Sequence, residues 1–272
     1  MRFMWLAGGL VMFAACAPVR EPEAMRDTAP VESPQVLPES PPRFHQPEPA
    51  RAGSVEISGI VFEGVGFDAG SHRLVVVDQA DGPGSVFADA AAAARSVGGI
   101  AAVNGGFFTP EGAPLGLVIA AGRRSGAWNS ASSLGGGVWH DSGAGGISRR
   151  EKLGRTGASG HRELLQAGPM LVENDRAVSG LDGLKTSART VILWDGGSRW
   201  WIGRSTPASL ARIAEALAGG KMPGWPVRHA LNLDGGRSAD LWISAEVPGG
   251  PLTRRPAWNR PVRNFLVLVP RG

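Results

Sequence analysis

Short apolar segments that run into paired glycines constrain this chain more than any other feature. Leu231-Asn232-Leu233-Asp234-Gly235-Gly236-Arg237-Ser238 alternates apolar and polar residues as a half-buried strand does, then breaks into Asp-Gly-Gly. Val103-Asn104-Gly105-Gly106-Phe107-Phe108 repeats the style far upstream. Glycine lets other groups approach the backbone closely, so each turn gathers polar side chains at a strand end beside approachable main chain. A fold that brings the two turns together would build a polar pocket. Trp194-Asp195-Gly196-Gly197 serves as an internal control. Lying between Val191-Ile192-Leu193 and Trp200-Trp201-Ile202, it reads as a hairpin turn. Asp-Gly-Gly alone is thus turn chemistry, and Asp234 is set apart by Asn232 and Arg237, which a turn does not require.

The remaining pattern gives an α+β fold: a single domain over residues 53–272, with a mostly antiparallel sheet and two main helices. Val55 to Phe62 and Arg73 to Val77 read as strands. Val86 to Val97 is alanine-rich, with Ser85 as N-cap and Gly98-Gly99 as its stop, and reads as a helix. Strands follow at Ile100–Val103, Leu115–Ala121, Gly137–His140, Met170–Val172, Val191–Trp194 and Trp200–Ile202. The second helix is expected just after Thr206, with Pro207 in its first turn and Leu210, Ile213 and Leu217 on one face. Strands at 228–233 and 239–243 flank the Asp234 turn, and Val262–Val269 closes the domain. The stretch from Asp141 to Gly160 has two glycine-rich segments, Ser142–Gly146 and Gly154–Gly160, that read as loop. It contains no Gly-x-x-x-x-Gly-Lys-Ser/Thr loop and no strand-borne Gly-x-Gly-x-x-Gly.

The N-terminal end carries an address. Arg2 precedes an apolar run from Phe3 to Ala15, too short to span a bilayer as a stable helix. Phe13-Ala14-Ala15-Cys16 resembles a lipobox, so residues 1–16 read as a lipoprotein signal with Cys16 as the lipidated residue. The rival is a plain secretory signal cut nearby. Cys16 is the only cysteine, which excludes an intramolecular disulfide, a cysteine nucleophile and a thiolate metal site. A lipidated Cys16 implies a membrane-anchored protein of the cell envelope. In a two-membrane cell Ala17 suits sorting to the outer membrane, facing the periplasm. Residues 17–52 carry nine prolines among Glu, Ser, Arg and Ala, and read as a disordered, extended tether. The net charge of +4 comes without a Lys/Arg block or basic helix, so no nucleic-acid partner is expected.

Several motifs in order resemble the phosphodiester glycosidase family. They are Asn104-Gly105-Gly106-Phe107-Phe108, Pro114-Leu115-Gly116, Gly168-Pro169-Met170-Leu171-Val172, Ala188-Arg189-Thr190, Asn232-Leu233-Asp234-Gly235-Gly236 and Asn259-Arg260-Pro261-Val262. The family usually continues Asp-Gly-Gly with another glycine, where this chain has Arg237. The resemblance implies hydrolysis of a sugar 1-phosphodiester at the anomeric carbon, on cell-envelope or exopolysaccharide-type glycans, without a cofactor. A phosphate monoester leaves readily because its second pKa is about 6, so paired carboxylates are less essential than in ordinary glycosidases. The chemistry needs a carboxylate near the oxocarbenium-like carbon and cations on the departing phosphate. The resemblance implies Asp234 for the first, as nucleophile or as base for a water. It implies Arg189 for the second, with Arg237 assisting, because an arginine fork binds phosphate oxygens in two places.

Asn104, Gly105, Gly106, Asn232, Gly235, Gly236 and Arg237 are then the expected substrate contacts. For Asn104 the alternative is stabilisation of its own turn. Glu63 and Asp78 are candidate second carboxylates, each with the alternative of a solvated strand-end charge. His140, His161 and His229 lack metal-ligand spacing and are expected to be satisfied or exposed, with no metal site. The competing function is a glycan-binding lipoprotein that does not cleave its ligand.

Overall fold

The computed structural model describes residues 48–143 and 145–272. The lipobox at Cys16 and nearly all of the proline-rich segment lie outside the described residues. The first strand begins at Arg51, inside the segment expected as tether, because Ala50 and Ala52 are already buried.

Every strand pairing is antiparallel. A seven-stranded sheet runs Arg51–Ile57, Ile60–Asp68, Arg199–Ser205, Thr190–Trp194, His229–Asn232, Met170–Glu173 and Arg176–Ala177 in spatial order. A five-stranded sheet runs Leu252–Arg254, Leu241–Ile243, Ala101–Asn104, Asn264–Pro270 and His72–Asp78. A second five-stranded sheet runs Arg123–Ser125, Val118–Ala120, Leu164–Ala167, Gly137–His140 and Gly146–Arg149.

The three sheets share one core, with Ile192, Ile202 and Leu231 from the first, Val103, Leu241 and Leu266 from the second, and Val118 and Leu165 from the third. Both faces of the first two sheets are covered, which is why Thr190–Trp194 and Asn264–Pro270 read as largely continuous apolar runs rather than alternating ones. Ile192 enters the shared core while Val191 and Leu193 pack with helix residues Ile213 and Leu217 on the far side. Leu266 and Leu268 likewise face the shared core, while Phe265 and Val267 meet Ala90, Ala93 and Ala94.

Helix α1 spans Ala90–Ser96, shorter than the Val86–Val97 expected. Asp89, not Ser85, caps it by accepting from Ala92 N at 2.8 Å, while the Val86 and Phe87 N–H groups donate to Gln79 Oε1 and stay outside the helix. Helix α2, Arg150–Gly157, and the strand Gly146–Arg149 overlap the segments read as loop, the helix at Gly154–Gly157 and the strand at Gly146. Leu153 is the one large apolar residue of α2 and Gly154 breaks it at φ 69°, so no apolar period could reveal it. Helix α3, Leu210–Gly219, starts after a Ser209 cap, and Pro207 lies outside its first turn. Thr206 instead bonds to Val61 through both N–H and Oγ1, and Ala208 bridges Ser187, which keeps this stretch outside the helix.

One further expectation changes. Val55–Phe62 is not one strand but the junction of two, joined by a turn at Ser58 (φ 52°) and Gly59 (φ 74°), the left-handed pair that a two-residue hairpin requires. The Trp194–Gly197 hairpin is as expected, with Trp194 opposite Trp200. The Asp234 turn is not a hairpin. His229–Asn232 belongs to the seven-stranded sheet and Leu241–Ile243 to a five-stranded one, so the turn crosses between sheets.

Candidate active site

That crossing brings the two glycine turns together. Ala101–Asn104 ends in one sheet where His229–Asn232 ends in the other. Asp234 N donates to Gly105 O at 3.1 Å, and Asn104 Nδ2 donates to Asp234 O at 2.7 Å. Arg189 arrives on the neighbouring strand, whose Thr190 O accepts from Leu233 N at 2.8 Å while Ala188 O accepts from Gly236 N at 2.8 Å. Gly235 makes this approach possible. A Cβ there would stand 2.6 Å from Ala188 O and 3.3 Å from Arg189 Cα. Gly105 has the same role on the other turn, where a Cβ would overlap Asn264 Oδ1.

Burial pushes the Asp234 carboxyl above the ordinary aspartate range. A Ser238 hydrogen bond, the Gly235 N–H at 2.9 Å on Oδ1, and the fields of Arg260 and Arg189 act in the opposite direction. Burial lowers the pKa of Arg189, against the fields of Asp182 and Asp234. The Arg189 Nε is buried with no partner among the described residues, and its Nη2 reaches Lys185 O at 3.5 Å. A charged donor withdrawn from water without an acceptor is unfavourable unless something supplies one. Arg260 reaches the site from the last loop, its Cζ 4.4 Å above the Phe108 ring.

Several expected contacts have other duties. Asn104 is fully buried, and its side chain is satisfied within the protein. Its Oδ1 accepts from Thr190 Oγ1 at 2.6 Å and Asp240 N at 3.1 Å, while Nδ2 donates to Asp234 O and Gly105 O. Asn104 therefore positions the turn, and no atom remains for a substrate. The N–H groups of Gly105 and Gly106 donate to Asn264 O and Oδ1, that of Gly235 to Asp234 Oδ1, and that of Gly236 to Ala188 O. These glycines shape the site instead of cradling a ligand. Asn232 donates to Gly168 O at 2.9 Å and keeps a buried Oδ1 without a partner among the described residues. Arg237 is exposed, and its Nε donates to Trp258 O at 3.1 Å. The cations whose fields reach Asp234 are Arg260 and Arg189, not Arg237.

Neither candidate second carboxylate is available. Asp78 is held by Arg263 at 2.9 and 3.0 Å and by Ser125 Oγ at 2.8 Å. Glu63 pairs with Arg254, and the register Glu63–Arg204–Thr190–Leu233 places it three strands away. At about 4.8 Å per strand that is roughly 14 Å from the segment carrying Asp234, beyond the roughly 6.5–9.5 Å that an inverting pair spans. His140 and His229 also depart from expectation, since each has a buried Nδ1 with no partner and a pKa lowered chiefly by burial. His161 is satisfied by Asp141, Ser142 and Gly157 O. Among the described residues no three His, Cys, Asp or Glu groups gather as a metal site.

The sequence reading missed Ser238, which follows Asp234 by four residues on a short 3-10 turn. It also left Arg260 inside a motif without a role. Volume does not mark the site either. Cavities of about 370 and 340 Å³ lie beside Trp201 and Trp225 and beside Arg73 and Arg271, and neither is lined by Asp234.

Residues 97–269 match the model of the phosphodiester glycosidase family. Among solved structures, the chain is similar to the zebrafish N-acetylglucosamine-1-phosphodiester alpha-N-acetylglucosaminidase catalytic domain, auto-inhibited by its pro-peptide. The TM-score is 0.53 at 16% identity, over 82% of each chain. It is also similar to a hypothetical protein from Synechocystis, with a TM-score of 0.54 at 18% identity over 81% of this chain and 61% of that one. A putative exported protein from Burkholderia pseudomallei K96243 aligns with a TM-score of 0.51 at 14% identity, over 78% and 74%. No curated protein matches the chain significantly. At these identities the structures show the fold, and the family model covers the strands and turns that build the Asp234 site: the chain belongs to the phosphodiester glycosidase family.

Proposed function

We propose that the Asp234 site hydrolyses a sugar 1-phosphodiester at the anomeric carbon of a cell-envelope or exopolysaccharide-type glycan. The observation that carries this reading is the Arg189 guanidinium, whose buried Nε has no partner among the described residues while it lies within the field of a carboxylate. A phosphate oxygen supplies the missing acceptor, and charge-assisted contacts of this kind are the strong ones. Arg189 and Arg260 together stabilise the charge that grows on the phosphate as the C1–O bond breaks. Asp234 then faces the positive character developing at the anomeric carbon, as nucleophile or as base for a water. A carboxyl raised by burial suits proton transfer near neutral pH. The good leaving group explains how one carboxylate suffices where Asp78 and Glu63 are both engaged elsewhere.

The lipid expected on Cys16 would hold this chemistry at the envelope. Release of Cys16→Ser protein from membranes would support that anchor, and retention would refute it. The catalytic reading is tested by incubating the full chain and Asp234→Asn with a panel of sugar 1-phosphodiesters, followed by mass spectrometry. Release of free sugar by the wild type alone supports it. Equal turnover by Asp234→Asn refutes the assignment, and glycan binding without turnover in the wild type favours the binding-only lipoprotein.

A further inference from the structure

Trp258 is 73% exposed, one of four exposed large apolar side chains among the described residues. Its surroundings are not those of a loose loop. Arg237 Nε donates to Trp258 O at 3.1 Å, and Arg260 N donates back to Arg237 O at 3.0 Å. Asn259 N bonds to Pro256 O at 3.0 Å, and Asn259 Nδ2 reaches Ala239 O at 3.4 Å. Arg255 Nη2 ties the loop's other arm to Ala88 O at 2.7 Å. The indole is thus presented from a backbone fixed on both sides, two residues from Arg260 and bonded to the turn that carries Ser238 and Asp234.

We propose that Trp258 is a stacking platform for a sugar ring of the glycan adjoining the scissile phosphodiester, and that Arg237 is the residue that positions it. An indole offers a large, rigid, apolar face at little loss of side-chain freedom. A pyranose presents a face of C–H groups whose hydroxyl rim can stay in water. The position where the family continues with glycine is therefore not a phosphate ligand here but an anchor for the platform. Arg237 sets which glycan is held, and Arg189 and Arg260 set where its phosphate goes. This rests on the reading of the Asp234 site as a sugar-phosphodiester site.

The test uses the full chain in an Asp234→Asn background, so that bound glycan is not consumed. The probe is an array of bacterial envelope and exopolysaccharide glycans, with affinities of the bound ones measured by calorimetry. Added Trp258→Ala should weaken binding about tenfold, the scale of a modest hot spot. Trp258→Phe should retain most of it, and Arg237→Gly should fall toward Trp258→Ala. Melting temperatures should be unchanged for Trp258→Ala, since the side chain is exposed. In the active enzyme, Arg237→Gly should raise KM for a glycan substrate several-fold more than KM for a methyl phosphodiester of a single sugar. A merely structural role for Arg237 would move both substrates together. Binding undiminished in Trp258→Ala overturns the platform, as does an array on which the parent binds nothing. Absence of turnover in the wild type, with binding lost in Trp258→Ala, refutes hydrolysis alone and leaves the platform standing.

Discussion

Replacing Asn104 by alanine separates a residue that holds the site together from one that touches substrate. Asn104 is fully buried and joins three parts of the fold: Thr190 Oγ1 on one sheet, Asp240 N entering the next, and Asp234 O in the crossing turn. Its loss leaves those three groups without the partner they have in the native structure. An unmet buried polar group costs roughly 1–3 kcal/mol, so the total should be about 3–5 kcal/mol even with some relaxation. That is a large share of a typical stability of about 5–15 kcal/mol. Urea unfolding followed by tryptophan fluorescence would show the midpoint falling with an unchanged slope. Thr190→Val, which removes the hydroxyl donor at nearly constant shape, should couple to Asn104→Ala by about 1 kcal/mol in a double-mutant cycle. If Asn104→Ala unfolds within about 1 kcal/mol of wild type while raising KM, Asn104 is a ligand contact and the positioning account is wrong.

Gly105→Ala should destabilise markedly, because its Cβ would overlap the Asn264 side chain that holds the turn; a melting temperature equal to wild type would remove the close-approach argument. Asp234→Asn should be more thermostable than wild type at neutral pH. Burial raises the folded-state pKa of Asp234, so its contribution to stability is fully present below the unfolded value and is lost as pH rises through the folded one. The advantage of Asn should shrink as pH falls into the carboxylate range, and a variant less stable than wild type at pH 7 would contradict the burial argument. Arg189→Lys keeps the charge but not the fork, and should lower turnover of a phosphodiester by about tenfold or more; unchanged kcat would exclude a two-point phosphate contact.

Much of the fold was legible because antiparallel strands, hairpin turns and helix stops are written locally. The Trp194–Gly197 hairpin and the apolar runs at Val191 and Phe265 are examples. Helix α2 was not legible, since Leu153 alone carries no period. The starts of α1 and α3 were misplaced because Gln79, seven residues before Val86, and Val61, far upstream of Thr206, bond the preceding residues and keep them outside the helices. At the site, the meeting of the two glycine turns was anticipated from their shared style. The division of labour was not. Asn104 became a keystone and Arg237 an anchor for Trp258, because their partners, Thr190 and Trp258, lie far along the chain. Arg260 gained its role from where the last loop folds back over Phe108.

Hydrolysis in water enriched in oxygen-18 shows whether the bond that breaks is the one at the anomeric carbon. With a sugar 1-phosphodiester as substrate, mass spectrometry of the products should find the heavy oxygen in the released sugar and none in the phosphate. Heavy oxygen in the phosphate would mean attack at phosphorus and would contradict the roles assigned to Asp234, Arg189 and Arg260.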